Sequence, residues 1–310
     1  MDQTFKDIQS GSDTGTYEQG IIIRGIGGFY YVRLSDGTTV ECRARGKFRR
    51  DSFAPLVGDA VKIQRFSHGD AALEEILPRR NMLRRPSAAN ITHLIIVASC
   101  TVPAPDFLLV DKMLLMARAS GIFPVLVFNK CEDLADARRK RLQETYACFP
   151  VFFVSALQGT GIDGLRDYLS GQACTACLAG QSAVGKSSII NALLPGCLQE
   201  TGDVSRKTER GRHTTRRVEL LELSGDSYIL DTPGFSLYEL PLMDQLTLDT
   251  CYPEFSTLPQ DCYFPDCSHT TEPGCAVREA VRNGEIPRER YERYTEIQKE
   301  MKLRRQHQYD

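Results

Sequence analysis

A glycine-rich segment in the second half of the chain carries the pattern G-x-x-x-x-G-K-[ST], which is typical of phosphate-binding loops. It follows an apolar run that ends at Leu178, and Pro195-Gly196 ends the helical stretch behind it. Backbone N–H groups of such a loop turn toward phosphates, and the next helix N-terminus adds positive partial charge. We predict that Lys186 reaches the β- and γ-phosphates of a nucleotide and that Ser187 holds Mg²⁺. The predicted nucleotide-binding residues of this loop are Gly180, Gln181, Ser182, Ala183, Val184, Gly185, Lys186, Ser187 and Ser188.

A second motif, Asp231-Thr232-Pro233-Gly234, follows the apolar run at 228–230. An acid at the end of such a strand can hold Mg²⁺, and a glycine N–H three residues later can contact the γ-phosphate. Alone, this tetrapeptide is typical of an ordinary turn. Downstream of a phosphate loop, it predicts that Asp231 binds the metal and that Gly234 contacts the nucleotide.

A third group, Asn129-Lys130-Cys131-Glu132-Asp133, follows the apolar run at 123–128 and resembles the guanine-reading motif N-K-x-D. The carboxylate of that motif accepts hydrogen bonds from N1–H and the N2 amino group of guanine, and adenine lacks that amino group. Glu132 stands three residues after Asn129, where the motif has its carboxylate, so we favour Glu132 for this role. Asp133, the next residue, stays open as the alternative. Ser155-Ala156 ends the next apolar run and resembles the loop whose backbone supports guanine.

The order of these motifs is rotated relative to an ordinary GTPase, which begins with the phosphate loop and ends with the guanine-reading motif and the serine-alanine loop. Here those last two parts come first, the phosphate loop follows, and Thr214, Thr215 and Asp231 come last. The five parts together predict a GTP-binding domain in circularly permuted order. We also hypothesise that the permutation places the segment after Gly234 beside a C-terminal module, on which a GTP-dependent movement acts directly.

A cluster of metal-type ligands lies further along, with the spacing Cys262-x4-Cys267-x-His269-x5-Cys275. Three thiolates and one imidazole fill a tetrahedral zinc site without an open position for water, which predicts a structural zinc ion. By contrast, Cys174 and Cys177 lie on an apolar strand, so we interpret this C-x-x-C pair as core thiols.

The sequence around these motifs predicts three structural regions: a barrel, an α/β sheet and a helical region. About five short strands with turn signals between residues 18 and 77 predict a small β-barrel, of which the OB-fold is the common nucleic-acid-binding form. From residue 91, apolar runs alternate with helical stretches and predict an α/β sheet with helices on both faces. Short helical pieces surround the cysteines after residue 240. The predicted boundaries are a disordered lead-in at 1–17, an OB-fold RNA-binding barrel at 18–78, a P-loop GTPase domain at 79–240 and a mainly helical zinc domain at 241–310.

Charge gives no global sign of a nucleic-acid partner, because 38 basic residues face 40 acidic ones and the formal net charge is −2. Locally, the basic clusters at 43–50, 79–85 and 206–217 could bind the phosphate backbone of a nucleic acid. For each cluster, an ordinary charged surface exposed to solvent is an equally good interpretation. The sequence lacks a secretion signal and a membrane-spanning run, and its 11 cysteines are odd in number, so we expect a cytosolic protein with reduced thiols.

The motifs together resemble the ribosome small subunit-dependent GTPase A family, bacterial circularly permuted GTPases, over nearly the whole chain. The residues that carry the resemblance are Gly180–Ser188, Gly211-Arg212-His213-Thr214-Thr215, Asp231–Phe235, Cys262–Cys275 and Glu272–Val277. The resemblance implies a monomeric factor that acts late in maturation of the 30S subunit, contacts 16S rRNA, and has a weak GTPase that the subunit stimulates.

Two departures from the family pattern affect the expected site. Glu132 stands where the family usually has Asp, and Arg216 replaces a third threonine, so Thr214, or alternatively Thr215, is expected to reach Mg²⁺. Phe235 occupies the position of the glutamine that orients water in many GTPases. The resemblance therefore implies His213 as the water-orienting residue, and a phosphate- or RNA-contacting histidine is the alternative.

Two other functions stay open at this stage. Nucleotide could merely stabilise an RNA-binding scaffold whose hydrolysis is incidental, or the chain could serve the large ribosomal subunit. The barrel ahead of the GTPase domain and the zinc cluster behind it argue against the large subunit.

Overall fold

A computed structural model describes residues 16–46, 48, 54–66, 69–84, 86–196, 218–231, 242–259 and 261–306. The N-terminal part is a closed five-stranded barrel, as predicted. Its strands are β1 (Thr16–Ile26), β2 (Phe29–Leu34), β3 (Thr39–Ala44), β4 (Ala60–Arg65) and β5 (Ala71–Ile76). They pair in the order β1-β2-β3-β5-β4, and β4 returns to pair with β1. The core is formed by fully buried side chains, among them Ile22, Val32, Val61, Ile63 and Leu73.

A short hairpin, which the sequence patterns did not predict, connects the barrel to the central domain. It consists of β6 (Met82–Arg84) and β7 (Ser87–Ala89). Val57, which precedes β4, makes an isolated bridge to Ala88 of this hairpin.

The central domain is the predicted α/β sheet. Its strands are β8 (His93–Ser99), β9 (Phe123–Asn129), β10 (Val151–Phe153), β11 (Thr175–Ala179), β12 (Glu219–Ser224) and β13 (Ser227–Asp231). Their order is β10-β9-β8-β11-β13-β12, and the first five are parallel. β12 is antiparallel to β13, so the sheet is mixed at this edge. A short turn of the kind that joins antiparallel strands connects β12 and β13.

Helices cover both faces of this sheet. They are α1 (Phe107–Ala119), α2 (Asp136–Thr145), α3 (Ile162–Ser170) and α4 (Lys186–Leu193). α1 packs in one apolar cluster through residues such as Leu114, and α3 and α4 pack in the other through Leu165 and Ile189. Sequence periodicity did not indicate α2, because Leu142 is its single buried residue among many charged ones.

The barrel and the central domain share one sheet. Arg24 of β1 pairs with Glu219 of β12, which makes an 11-stranded sheet that continues from the central domain into the barrel. Two ion pairs reinforce this junction: Arg24 contacts Glu219 at 3.5 Å, and Arg33 contacts Glu222.

The C-terminal part is mainly helical, with α5 (Gln245–Thr250), α6 (Pro253–Ser256), α7 (Ala276–Arg282) and α8 (Arg288–Gln306). A buried ionic contact joins it to the central domain. Asp111 of α1 is fully buried, and its carboxylate oxygens contact Arg290 at 2.7 Å and Arg293 at 2.5 Å, both on α8. The hydroxyl of Tyr146 also donates to Asp111. Among the described residues, no helix has the length and apolar character needed to cross a membrane.

Candidate active site and metal centre

The phosphate loop connects β11 to α4 with a backbone that only small residues permit. Gly180 has φ +145°, and Gly185, which caps α4, has φ +95°. A Cβ at Gly180 would lie 2.2 Å from the carbonyl oxygen of Val97, so a side chain at this position would collide with β8. The loop can thus turn sharply from the strand into the helix, as phosphate binding requires.

Lys186, the first residue of α4, is held over this loop. Its Nζ donates to the carbonyl oxygens of Gly180, at 2.9 Å, and Gln181, at 2.6 Å. Burial lowers the pKa of this ammonium, because desolvation penalises the charged form. A phosphate group would supply the missing negative charge, so the loop fits an anionic ligand.

Asn129, at the end of β9, connects the guanine-type motif to the phosphate loop. Its Nδ2 donates to the carbonyl oxygen of Val184 at 2.9 Å, and its Oδ1 accepts from the N–H of Ala156 at 3.0 Å. The side chain is buried, with 2% of the residue exposed. A Cβ at Gly185 would lie 2.3 Å from the same Nδ2, so glycine is needed for this contact. One amide thus holds three segments together.

Lys130 reinforces this connection from the next position. Its Nζ donates to the carbonyl oxygens of Val102, at 2.5 Å, and Ala183, at 2.8 Å. Its own backbone has φ +61°, which turns the chain away from β9.

A cleft of about 540 Å³ opens beside these contacts. Its lining residues come from both groups of motifs and are Thr101, Asn129, Lys130, Glu132, Ala156, Leu157, Gly185, Ser188, Asn191 and Ala192. The cleft therefore has acid, amide and backbone groups at one end and the phosphate loop at the other, which suits a guanine nucleotide.

Glu132 lies in this cleft, and Asp133 is not among the residues that line it. The hydroxyl of buried Ser155 donates to Glu132, and Ser155 Oγ accepts from the N–H of Gln158 at 3.0 Å. The hydrogen bond from Ser155 is the main reason why the pKa of Glu132 is below its usual value. An ionised carboxylate at this position can accept both guanine N–H groups.

Asp231 ends β13 at the same edge of the sheet as the phosphate loop. β13 is the parallel neighbour of β11, with Leu230 opposite Cys177, so both strands deliver their carboxyl ends to one side. Ser187 and Asp231 would hold Mg²⁺ there through oxygen atoms, the ligands that this ion prefers. The predicted residues His213, Thr214 and Gly234 lie outside the described residues, as does the basic segment at 206–217.

The four predicted metal ligands converge in the C-terminal domain. The ligand atoms of Cys262, Cys267, His269 and Cys275 all lie within 4.8 Å of one another. His269 Nδ1 is 3.5 Å from the sulfur of Cys262 and 3.4 Å from that of Cys275, and these two sulfurs are 3.9 Å apart. A tetrahedral zinc ion with Zn–S bonds of about 2.3 Å separates its ligands by roughly 3.8 Å. The cluster can hold a metal ion, and its chemistry and spacing fit zinc.

Outer residues orient these ligands. Asp249 Oδ2 lies 3.3 Å from His269 Nε2, on the far side of the ring from the thiols. Tyr291 donates to the His269 carbonyl oxygen at 2.8 Å. A carboxylate behind a metal-binding imidazole selects the tautomer that points its other nitrogen at the metal.

Comparisons with known proteins agree with this geometry. A model of the RsgA GTPase matches residues 76–241, and a model of the RsgA N-terminal domain matches residues 19–73. A protein of Carboxydothermus hydrogenoformans named Small ribosomal subunit biogenesis GTPase RsgA is 44% identical, over 89% of this chain and 95% of its own. A protein of the same name from Ruminiclostridium cellulolyticum is 42% identical, over 91% of this chain and 93% of its own.

The chain belongs to the RsgA GTPase family.

Solved structures of similar proteins support the same assignment. YjeQ from Thermotoga maritima is 33% identical and has a TM-score of 0.79, over 92% of this chain and 99% of its own. YloQ, titled a circularly permuted GTPase, is 31% identical with a TM-score of 0.77, over 96% of this chain and 99% of its own. As a member of the RsgA GTPase family, this chain is a GTP hydrolase, and its GTP is used with Mg²⁺.

Sequence reasoning missed several residues around the RsgA-type site. Asp249 precedes the cysteine cluster without any motif spacing, so only its distance to His269 identifies it. The side chain of Gln181 accepts from the N–H of Asp106, whose own carboxylate caps α1 by accepting from Leu109. The helix-start signal at Asp106 was readable, but its contact with the phosphate loop was not.

Proposed function

We propose that this chain is a GTPase that binds the small (30S) ribosomal subunit and acts late in the maturation of that subunit. It hydrolyses GTP to GDP and phosphate, and the subunit accelerates this reaction. The single observation that carries the proposal is the Asn129 side chain, which joins the guanine-type cleft to the phosphate loop. The relatives from Carboxydothermus hydrogenoformans and Ruminiclostridium cellulolyticum are named Small ribosomal subunit biogenesis GTPase RsgA, which supports the small subunit as the partner.

The binding residues divide according to the two ends of GTP. Glu132 accepts from guanine, Asn129 and Lys130 hold the loops in register, and the backbone at Ser155 and Ala156 supports the base. Residues 180–188 surround the phosphates, with Lys186 on the β- and γ-phosphates and Gly234 near the γ-phosphate. Burial of Lys186 supports this assignment, because its positive charge gains most from a phosphate partner.

Hydrolysis requires a metal and an oriented water. Ser187, Asp231 and Thr214 would hold Mg²⁺, which neutralises charge on the phosphates when bound. His213 would orient the attacking water, because Phe235 has no group able to do so. Without the subunit we expect slow turnover, on the order of 10⁻⁴ s⁻¹, as in GTPases with an incomplete set of catalytic groups.

The barrel supports an RNA partner such as 16S rRNA. Three pairs of cations and aromatic rings lie on it within 5.0 Å: Arg24 over Tyr31, Arg43 over Phe29, and Lys62 over Tyr17. Tyr17 is 55% exposed. Stacking rings beside positive charges suit bases and phosphates together.

The proposed boundaries are a lead-in at 1–17, an RNA-binding barrel at 18–78, the GTPase domain at 79–240 and a zinc domain at 241–310. We assign one structural zinc ion to Cys262, Cys267, His269 and Cys275. The working form is a monomer in the cytoplasm, where small subunits mature.

The test is GTP turnover by the full chain alone and with 30S, 50S and 70S particles. We expect a clear rise with 30S particles only, and equal rates with all additions would contradict the proposal. His213→Ala should remove the stimulated rate and leave nucleotide affinity nearly unchanged. Thr214→Ala and Thr215→Ala form a matched pair, of which the first should lower turnover more.

A second measurement distinguishes an enzyme switch from an RNA scaffold. Release of the protein from 30S particles is compared with GTP and with a non-hydrolysable analogue. A switch leaves the particle only after hydrolysis, whereas a scaffold dissociates equally in both cases.

A further inference from the structure

Two cysteines that are distant in sequence lie in contact beside the nucleotide cleft. The sulfur atoms of Cys100 and Cys131 are 2.9 Å apart, closer than an ordinary contact between sulfur atoms. Both residues are buried, with 3% of Cys100 and 9% of Cys131 exposed. A disulfide bond has a sulfur–sulfur distance of about 2.05 Å, so a movement of less than about 1 Å would join them.

Their positions connect this pair to nucleotide binding. Cys131 stands inside the guanine-type motif, between Lys130 and Glu132, which both line the cleft. Cys100 follows β8, and the next residue, Thr101, lines the same cleft. The N–H of Cys100 donates to the carbonyl oxygen of Asn129 at 2.8 Å, so the two segments already run side by side.

The more conspicuous pair in the sequence has no such geometry. Cys174, which directly precedes β11, and Cys177, on β11, form a C-x-x-C motif, yet they belong to the two apolar clusters on opposite faces of the sheet. A disulfide between them would have to cross the sheet. The cysteines of the zinc centre face one another around a metal position and form a separate group.

We propose that Cys100 and Cys131 form a reversible disulfide when a small disulfide oxidant is present, and that this bridge weakens guanine-nucleotide binding. The inference rests on the proposed function, because it assumes that the cleft beside the pair holds guanine.

The chemistry needs one equivalent of a low-molecular-weight disulfide, RSSR. The Cys131 thiolate attacks one sulfur of RSSR, the S–S bond of RSSR breaks, and RS⁻ leaves. The Cys100 thiolate then attacks the Cys131 sulfur of the mixed disulfide and expels the second RS⁻. The two cysteines together lose two protons and two electrons, and RSSR is reduced to two RSH.

Exposure assigns the first step to Cys131, because 9% of Cys131 is exposed against 3% of Cys100, so an oxidant reaches Cys131 more readily. The hydrogen bond between the two sulfurs acts in the same direction, because it lowers the pKa of Cys131. Cys131 is therefore the stronger candidate for the attacking thiolate, and Cys100 becomes reactive once the mixed disulfide has formed.

The bridge would disturb the guanine-reading residues on both sides of Cys131. The thiol of Cys131 donates to the carbonyl oxygen of Phe128 at 3.0 Å, and this contact is lost when its sulfur joins Cys100. The backbone of Cys131 must follow its sulfur, and Glu132, next in the chain, shifts relative to Ser155. By linkage, bound nucleotide opposes the bridge as much as the bridge opposes nucleotide.

The experiment uses the full-length, zinc-loaded chain and 2-hydroxyethyl disulfide as oxidant. Free thiols are then blocked with N-ethylmaleimide, and peptides are mapped by mass spectrometry. We expect a peptide pair linked through Cys100 and Cys131. Affinity for fluorescent GDP should fall by about fivefold or more and recover with dithiothreitol. Prior addition of GDP should slow formation of the linked pair.

Three variants locate the effect. Cys100→Ser and Cys131→Ser should yield no linked pair and keep their affinity in oxidant. Cys148→Ser removes an exposed cysteine away from the pair and should behave as the unaltered chain does.

Several results would overturn the inference: no linked pair in the unaltered chain, unchanged affinity in the bridged chain, or an equal loss of affinity in Cys131→Ser. The last result would assign the loss to other thiols, such as those of the zinc centre. Failure of the unoxidised chain to bind GDP would instead contradict the proposed function, while peptide mapping would still report on the bridge.

Discussion

The side-chain amide of Asn129 donates to the main-chain oxygen of Val184 over 2.9 Å, although Asn129 precedes Val184 by 55 residues. This bond joins the guanine-type motif to the phosphate loop. The strand order explains how the rotated sequence achieves it, because β8 lies between β9 and β11 and all three strands are parallel. Parallel neighbours present their carboxyl ends at one edge, whichever of them comes first in the chain.

Replacement of Asn129 by Ala should weaken GTP binding by about tenfold or more. The change removes the bonds to Val184 and Ala156, and it leaves one buried carbonyl and one half-buried N–H unpaired, at up to about 1–3 kcal/mol each. Calorimetric titration with GTP measures the loss. Asn283→Ala, on the exposed end of α7, is the control and should bind normally. Normal binding by Asn129→Ala would contradict the bridging role.

The acid that reads guanine can be identified by two neighbouring variants. Glu132→Ala should lower GTP affinity by about tenfold or more, because a carboxylate contributes roughly 1.5–3 kcal/mol per hydrogen bond. Asp133→Ala should have little effect, since Asp133 does not line the cleft. Competition between GTP and ATP gives the readout, and the reverse ranking of the two variants would assign the role to Asp133.

Zinc affinity should depend on Asp249. Asp249→Ala removes the carboxylate behind His269, which should reduce affinity by about tenfold to hundredfold. Competition with a zinc-binding dye measures this change. Asp266→Ala, an exposed acid beside Cys267, is the matched control and should keep its zinc. Equal affinities in both variants would mean that Asp249 does not support the ligand.

The buried contact between the central and C-terminal domains should matter more than an exposed one beside it. Asp111→Asn removes the charge that faces Arg290 and Arg293 and should cost about 3 kcal/mol of unfolding free energy. Lys112→Gln breaks the partly exposed pair with Glu300 and should cost less than about 1 kcal/mol. Denaturant unfolding compares them, and similar losses would contradict this ranking.

Local patterns carried the predictions that succeeded. The phosphate loop and the strands around it are encoded by consecutive residues, and the barrel by alternating apolar positions such as Ile22 and Val32. The family and the fold class therefore followed from short stretches of sequence whose geometry depends on their own backbone.

Contacts between distant residues were not predictable in this way. Arg293 meets Asp111 across 182 positions, and nothing in either local sequence indicates the other. An arginine in a charged helix such as α8 is usually interpreted as solvated surface, yet Arg290 is 1% exposed. Arg290 is buried by packing against other elements of the fold, which the periodicity of apolar residues along one helix does not reveal.

The pairing of β1 with β12 has a mechanical consequence for the barrel. β12 begins two residues after the basic segment at 206–217, and its partner β13 ends at Asp231. Because β1 pairs with β12, the barrel is attached to the central domain by strand pairing as well as by the connecting chain. We expect any rotation of β12 that accompanies a change at the phosphate loop to be passed on to the barrel, which would couple the orientation of the barrel to the bound nucleotide.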